Sequence, residues 1–343
     1  MKKLLNVFYI TSPEAYLALD GQNLVIKKER ETSLSIPLHN LENIVCFGYQ
    51  GASPALMGAC AEHQIGLCFL TPQGRFLGRV SGKVQGNVLL RKKQYQISDN
   101  EAESVKIAAN FLTGKIINGK RVIKRCVRDH AYLVNVDHLQ EHAAQLQEAA
   151  ESLPEHQSIA DLMGVEGAAA RIYFSVFDEM ILHQKESFYF RERSRRPPLD
   201  NVNALLSFLY TILANEVTSA LETVGLDPYV GFLHQDRPGR PSLALDLMEE
   251  LRPVFVDRLV LSLINRKQID KNGFVQKENG SVLMDDDTRK VVLNAWQDRK
   301  KEIITHPFLK EKFQFGLIPY AQALLLARHI RGDLEAYPPY FWH

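Results

Sequence analysis

Along the first hundred residues the apolar positions come in short runs broken by turn residues. LNVFYIT (5–11), AYLAL (15–19) and NLVIKKE (23–29) have strand length, and Asp20-Gly21 between the last two is a hairpin signal. SLSIPL and ENIVCFG follow, then SPALMGACAEH, a short helix opening after Ser53 with Pro54 at its first position. IGLCFLT and RFLGRV bracket a further turn, Pro72-Gln73-Gly74. Short strands at regular spacing with one helix predict a small sheet or sandwich over residues 1–97.

The period then changes. ISDNEAES (97–104) is a polar break, and from about Glu103 the apolar residues recur at helical spacing. Helices are predicted over 158–181 and over 201–224, the latter capped by Asp200 and closed by Gly225. Another opens with Pro241 at its first position and bends at Pro253, and a last one stops at Gly332, after which an aromatic tail is expected to dock on the body. The expected fold class is α+β: a small N-terminal β-sheet or sandwich domain (1–97), followed by a larger all-α domain (98–343).

Composition adds exclusions. With 343 residues, 45% hydrophobic and 24% charged, the chain can bury a sizeable core in two domains. A net charge of +1 rules out a histone-like polycation and leaves local patches open. Cys46, Cys60, Cys68 and Cys126 have no zinc-like spacing and read as reduced core thiols of a cytoplasmic protein. The start Met1-Lys2-Lys3 with LLNVFYI imitates a signal peptide, but the run is short and contains Asn6, so it reads as a strand. No apolar run is counted that approaches the roughly 18 residues of a membrane span, so no membrane partner is expected. The absence of GxGxxG, P-loop, GxSxG and HExxH patterns removes dinucleotide enzymes, NTPases, serine hydrolases and zincins.

Candidate chemistry gathers in Gly225–Arg258. His234 stands in a Gly/Pro-rich loop before a helix carrying Asp246, Glu249 and Glu250, which at i, i+3 and i+4 share one face. Leu247, Leu251, Val254 and Phe255 fall largely on the other side. Glu166 lies between Gly164 and Gly167 in an apolar helix, where an ionised carboxylate is costly unless paired, for instance with Arg171, or bound to a metal. Two carboxylates and an imidazole, Glu166, Glu249 and His234, suit Mn2+ or Mg2+. An ordinary solvated helix after a loop has the same pattern. Asp285-Asp286-Asp287 reads as a solvated turn.

Two basic segments accompany these residues. Lys115, Lys120, Arg121, Lys124, Arg125 and Arg128 occur without an acid among them, as a solvated helix face or as a phosphate track. Arg191, Arg193, Arg195 and Arg196 precede the rigid Pro197-Pro198, as a surface loop or a set of phosphate contacts. A metal beside such segments favours phosphodiester chemistry.

Several stretches in constant order resemble one family, the CRISPR adaptation integrase, the universal CRISPR-associated endonuclease of spacer acquisition. They are GKIINGKRVIKR, GVEGAAARIYF, RSRRPPLDNVNALLSFLYTIL, GLDPYVGFLH, GRPSLALDLMEELRPVFVDR and IPYAQALLLARHIRG. The resemblance implies metal ligation by Glu166, His234 and Glu249, with Asp246 as support or alternative ligand and Arg252 near the scissile phosphate. DNA contacts are expected at Arg195, Arg196, Arg125 and Lys124. The β-domain is expected to dimerise, and a small ferredoxin-like CRISPR-associated partner is expected to bridge two dimers. The implied reaction joins short duplexes (incoming spacer DNA) to a CRISPR repeat by transesterification. The alternatives are a stand-alone metal-dependent nuclease on branched DNA, and a non-enzymatic DNA-binding scaffold.

Overall fold

The computed structural model describes residues 7–28, 31–72, 74–80, 82 and 88–342. Its first elements are β1 (Val7–Ile10), β2 (Tyr16–Asp20), β3 (Asn23–Lys28), β4 (Glu31–Pro37), β5 (Asn43–Phe47), α1 (Pro54–Glu62), β6 (Gly66–Leu70) and β7 (Phe76–Val80). Helices α2 (Val88–Ser98), α3 (Glu101–His130), α4 (Val136–Ser152), α5 (Ile159–Ser175), α6 (Asn201–Val224), α7 (Ser242–Glu249) and α8 (Arg258–Asn265) follow. The chain ends with β8 (Phe274–Gln276), β9 (Val282–Met284), α9 (Asp286–Lys300), β10 (Ile303–Thr305), β11 (Lys312–Gln314) and α10 (Ile318–Arg331). Two compact units result. One comprises Met1–Gly86, Asp286–Glu302 and Gln314–Leu317; the other comprises Asn87–Asp285, Ile303–Phe313 and Ile318–His343.

In the first unit, β2-β3-β4 form an antiparallel sheet and β1-β5-β6-β7 a mixed one. Asp20 pairs with Asn23 around Gly21, whose φ of 58° only glycine adopts freely. β1, β5 and β6 run parallel, which requires crossovers: the β2–β4 sheet supplies the first and α1 the second. Ser53 Oγ caps α1 by accepting from the Leu56 N–H at 3.2 Å. The core holds Leu17, Leu24, Ile44, Leu56 and Leu67 together with Cys46 and Cys60. Burial pushes both of these thiols up to about 11, so they are inert at neutral pH. The lysines at the start, Leu5, Asn6, Glu29 and Gln73 of the expected strands and turn lie outside the described residues.

The second unit is largely helical, and the part expected to be all-α contains two short ribbons, β8/β9 and β10/β11. Its boundary also differs from the expected 97/98, falling at 86/87. Residues 88–98 are not strand but helix α2, which buries Leu90, Gln94 and Ile97. α3 begins where Asn100 accepts from the Glu103 N–H and runs unbroken for 30 residues. The helix expected over 158–181 ends at Ser175, after which the chain turns through Asp178–Met180. α6 is capped by Asp200, which accepts from the Asn203 N–H at 2.7 Å, and stops at Gly225 with φ 86°. Contrary to the expectation of no such segment, α6 is long and apolar enough to cross a bilayer; it buries thirteen side chains and serves as a core helix here. Pro241 stands just before α7 rather than at its first position. Pro253, which has no N–H to donate, opens a π-helical turn (Pro253–Asp257) between α7 and α8. Asp286 and Asp287 open α9 instead of forming a loop, paired with Arg289 and Lys290.

Candidate active site

His234 is held from both sides. Asp246, fully buried on α7, accepts from the Phe232 and Leu233 N–H groups with Oδ2 at 2.6 and 2.9 Å. Its Oδ1 accepts from the His234 N–H at 3.0 Å and faces His234 Nδ1 at 2.6 Å. A carboxylate there fixes the proton on Nδ1 and leaves the lone pair on Nε2. Gly231 permits the close approach, since a Cβ would stand 2.7 Å from Asp246 Oδ2. On the other side is α2. The buried Gln94 donates to the carbonyls of Asp227 and Val230 at 2.8 Å each and accepts from the Asp227 N–H at 2.9 Å. Ser98 Oγ adds a bond to Gly231 O at 2.9 Å.

The two predicted glutamates meet on a residue assigned above only to a basic face. Lys115 Nζ on α3 contacts Glu166 Oε1 on α5, and Glu249 Oε2 on α7 at 2.7 Å. Glu166 therefore pairs with Lys115 rather than Arg171. Gly114 lets α3 approach, because a Cβ there would lie 2.7 Å from Glu250 Cβ. Arg252 Nη2 contacts Glu249 Oε1 at 3.2 Å. Burial alone would raise the Glu249 carboxyl, but the charges of Arg252 and Lys115 hold it down at about 2. Glu249 is thus ionised.

Whether these donors suit a divalent ion is a matter of chemistry and free lone pairs. Two carboxylates already share one cation, and an imidazole has its lone pair set by a carboxylate behind it. The donor set fits. As they stand, however, no three His, Cys, Asp or Glu side chains among the described residues are gathered closely enough to hold an ion. Asp246 spends both oxygens on the His234 loop.

The cleft in front of Lys115 and Glu166 is also lined by Tyr173, Arg193, Arg195 and Arg252. Arg193 donates to Asn203 Oδ1 at 2.6 Å and Ser207 Oγ at 3.0 Å, and both Arg193 and Arg252 lie over the Tyr210 ring. Tyr210 donates to Asp257 Oδ1 at 2.6 Å. Burial raises Asp257 to about 6 against the pull of its tyrosine donors and both arginines. The cleft therefore carries Lys115, Arg193, Arg195 and Arg252 together with the acids Glu166 and Asp257.

The three acids of the α7 segment are all buried and do not share a function. Glu250 faces the C-terminal tail: Oε1 accepts from Gln322 at 2.9 Å and Tyr337 at 2.5 Å, and Oε2 from the Tyr340 N–H at 2.9 Å. Asn118 joins the same dock, donating to Glu250 O and Tyr340 O and accepting from the Trp342 N–H. Trp342 lies 3.8 Å from Arg258 and 5.3 Å from Arg125, measured ring centroid to guanidinium carbon. Arg125, expected on DNA, is engaged here and with Asp129 at 3.1 Å. Lys124, Arg195 and Arg196 are exposed. Gln94, Asn118 and Tyr210 carry no sequence signal beyond that of ordinary core and surface helix residues, and Lys115 none beyond its place in a basic face.

The family described as CRISPR associated protein Cas1 matches residues 8–298. The chain belongs to the Cas1 family. CRISPR-associated endonucleases Cas1 of Rhodospirillum rubrum and Chlorobaculum tepidum are 51% and 48% identical to it, each over 100% of both chains. Among solved structures, a casposase bound to integration product superposes with a TM-score of 0.85 at 21% identity, covering 98% of this chain and 95% of the other. A CAS1 protein from Thermotoga maritima gives 0.81 at 23%, over 98% and 100%. A Cas6-RT-Cas1–Cas2 complex gives 0.82 at 24%, over 98% of this chain and 36% of that one. The Cas1 fold, a β-sheet region followed by a largely helical region, is the one described above, and the family resemblance read from the motifs is correct.

Proposed function

We propose that the chain is a metal-dependent DNA endonuclease and integrase of CRISPR spacer acquisition, which joins short duplexes into the CRISPR array by transesterification. The observation that carries this is the meeting of Glu166 and Glu249, from separate helices, on one cation beside an arginine-lined cleft. Membership of the Cas1 family and the endonuclease and integration names of its relatives support it.

Glu166, Glu249 and His234 Nε2 would hold Mn2+ or Mg2+, which when bound supplies Lewis-acid stabilisation of charge on a phosphodiester oxygen. Asp246 keeps the imidazole in the ligating tautomer. Arg252, Arg193 and Arg195 offer guanidiniums to phosphate oxygens, and the buried Asp257–Tyr210 pair keeps the first two in place. A 3′-hydroxyl of the incoming strand gives up its proton and forms a new P–O bond, while the bond to the departing 3′ oxygen breaks and that oxygen takes a proton. One phosphodiester replaces another, so no energy source is needed. Water in place of the hydroxyl gives cleavage. A homodimer formed through the first unit, a small ferredoxin-like partner and a cytoplasmic setting complete the proposal.

Glu166→Ala and His234→Ala should each abolish Mn2+-dependent cleavage and joining and weaken Mn2+ binding by calorimetry, with unchanged circular dichroism. Normal activity in both variants would sink the metal reading. Cleavage of branched DNA without joining, with the partner present, would favour a stand-alone nuclease; binding without either reaction would favour a scaffold.

A further inference from the structure

Lys115 lies between the two carboxylates that the proposal gives to the metal. Its ammonium touches both glutamates, its side chain is 16% exposed, and the Glu249 side chain beside it is 4% exposed. With Arg252 also on Glu249, two carboxylates face two cations, and these four charges balance. Adding a divalent ion to that set would leave two uncompensated positive charges in a site with little water, which is strongly unfavourable. The guanidinium of Arg252 is stacked over Tyr210 and packed into the wall. The lysine has a compact head on a flexible four-carbon stem, and lines the open cleft beside Arg193 and Arg195.

We infer that Lys115 is an internal counter-ion that a metal must displace, so that it holds the empty carboxylate pair together and lowers metal affinity until DNA arrives. Once displaced, the ammonium remains within the cleft, where a phosphate oxygen is its natural partner. Metal binding and DNA binding are thereby linked: each makes room or charge for the other, by the same factor in both directions. In the absence of DNA the site resists stray divalent ions, and unguided cleavage is suppressed. This rests on the metal reading of Glu166, Glu249 and His234 given above.

The test uses the full chain with Mn2+ as probe. Lys115→Met keeps the stem and removes the charge. Without DNA, its calorimetric Kd for Mn2+ should tighten on the order of tenfold, an ion-pair-sized change. Its melting temperature in EDTA should fall and recover with Mn2+. Addition of a short duplex should tighten Mn2+ binding in the wild type and much less in the variant. Unchanged or weaker Mn2+ binding in Lys115→Met would overturn the inference.

A second measurement needs no variant. Acylation of Lys115 in the wild-type protein, read by mass spectrometry, should rise several-fold when Mn2+ is added, as the ammonium leaves the carboxylates. Equal labelling with and without Mn2+ overturns the inference even if the variant does not fold. The two readings fail separately. Mn2+ binding unaffected by Glu166→Ala and His234→Ala removes the metal site itself, whereas binding lost in those variants but unmoved by Lys115→Met removes only the role of Lys115.

Discussion

Asp246→Asn changes one atom of a residue that touches no substrate, and its cost can be worked out bond by bond. Each carboxylate oxygen accepts from two N–H groups: Oδ2 from Phe232 and Leu233, Oδ1 from the backbone and ring of His234. Whichever way an asparagine amide is turned, its NH2 faces two donors. Hydrogen bonds to an ionised acceptor contribute about 1.5–3 kcal/mol each, so losing one or two costs about 1.5–6 kcal/mol. If the amide nitrogen takes the Oδ1 side it donates to Nδ1, which moves the ring proton to Nε2 and removes the ligating lone pair. If it takes the Oδ2 side, the loop at 232–233 loses its anchor instead. Mn2+ affinity should fall about 10- to 100-fold, the usual range for losing such a supporting carboxylate. Calorimetric unfolding gives the stability term, titration calorimetry the affinity, and amide hydrogen exchange at 232–234 shows the loop. A loss below about 1 kcal/mol with Mn2+ affinity unchanged would refute the reasoning, because the four bonds would then not be what holds His234.

Other outcomes follow from the same geometry. Gln94→Ala strips three bonds from the His234 loop, and should cost about 2–3 kcal/mol and speed amide exchange across 227–231. Asn118→Ala should release the tail, seen as faster carboxypeptidase trimming and altered Trp342 fluorescence; an equally protected tail would mean that Glu250 suffices. Glu250 is raised by burial to about 7 from 4.5, despite its donors, so the native state holds a proton that the unfolded chain gives up. Its contribution is full below about pH 4.5 and is lost as pH rises through 7, so the wild-type stability curve should fall across that window and flatten in Glu250→Gln. Glu249 acts in the opposite sense: held at about 2, it adds stability above pH 4.5 that disappears as pH falls toward 2, an acid limb that Glu249→Gln should reduce.

Much of the architecture was legible because its signals are local. Short apolar runs of five to seven residues between turn residues marked the strands, Ser53 and Asp200 announced the helices they cap, and Gly225 ended α6 because a left-handed residue is cheapest as glycine. The motifs flanking residues 166, 234 and 249 carried the family. Periodicity also placed Asp246, Glu249 and Glu250 on one helix face.

What that face meets was decided by packing. A helical period defines a stripe along one element and contains no information about its neighbour, and the neighbours here come from distant parts of the chain. Asp246 turns to the loop of its own segment, Glu250 to a tail 90 residues on, and Glu249 to α3 and Arg252. Residues 88–98 read as part of the β-rich region because a short amphipathic helix there is hidden by its surroundings; only the contacts of Gln94 reveal that it holds the His234 loop. The parallel order of β1, β5 and β6 likewise depends on which strands the crossovers bring together. Lys115 is the plainest case: in the sequence it is one cation among six in a basic helix, and in the fold it joins Glu166, 51 residues away, to Glu249. The sequence determined which groups were available; the packing of α3 against α5 and α7 determined that two acids would share one positive charge.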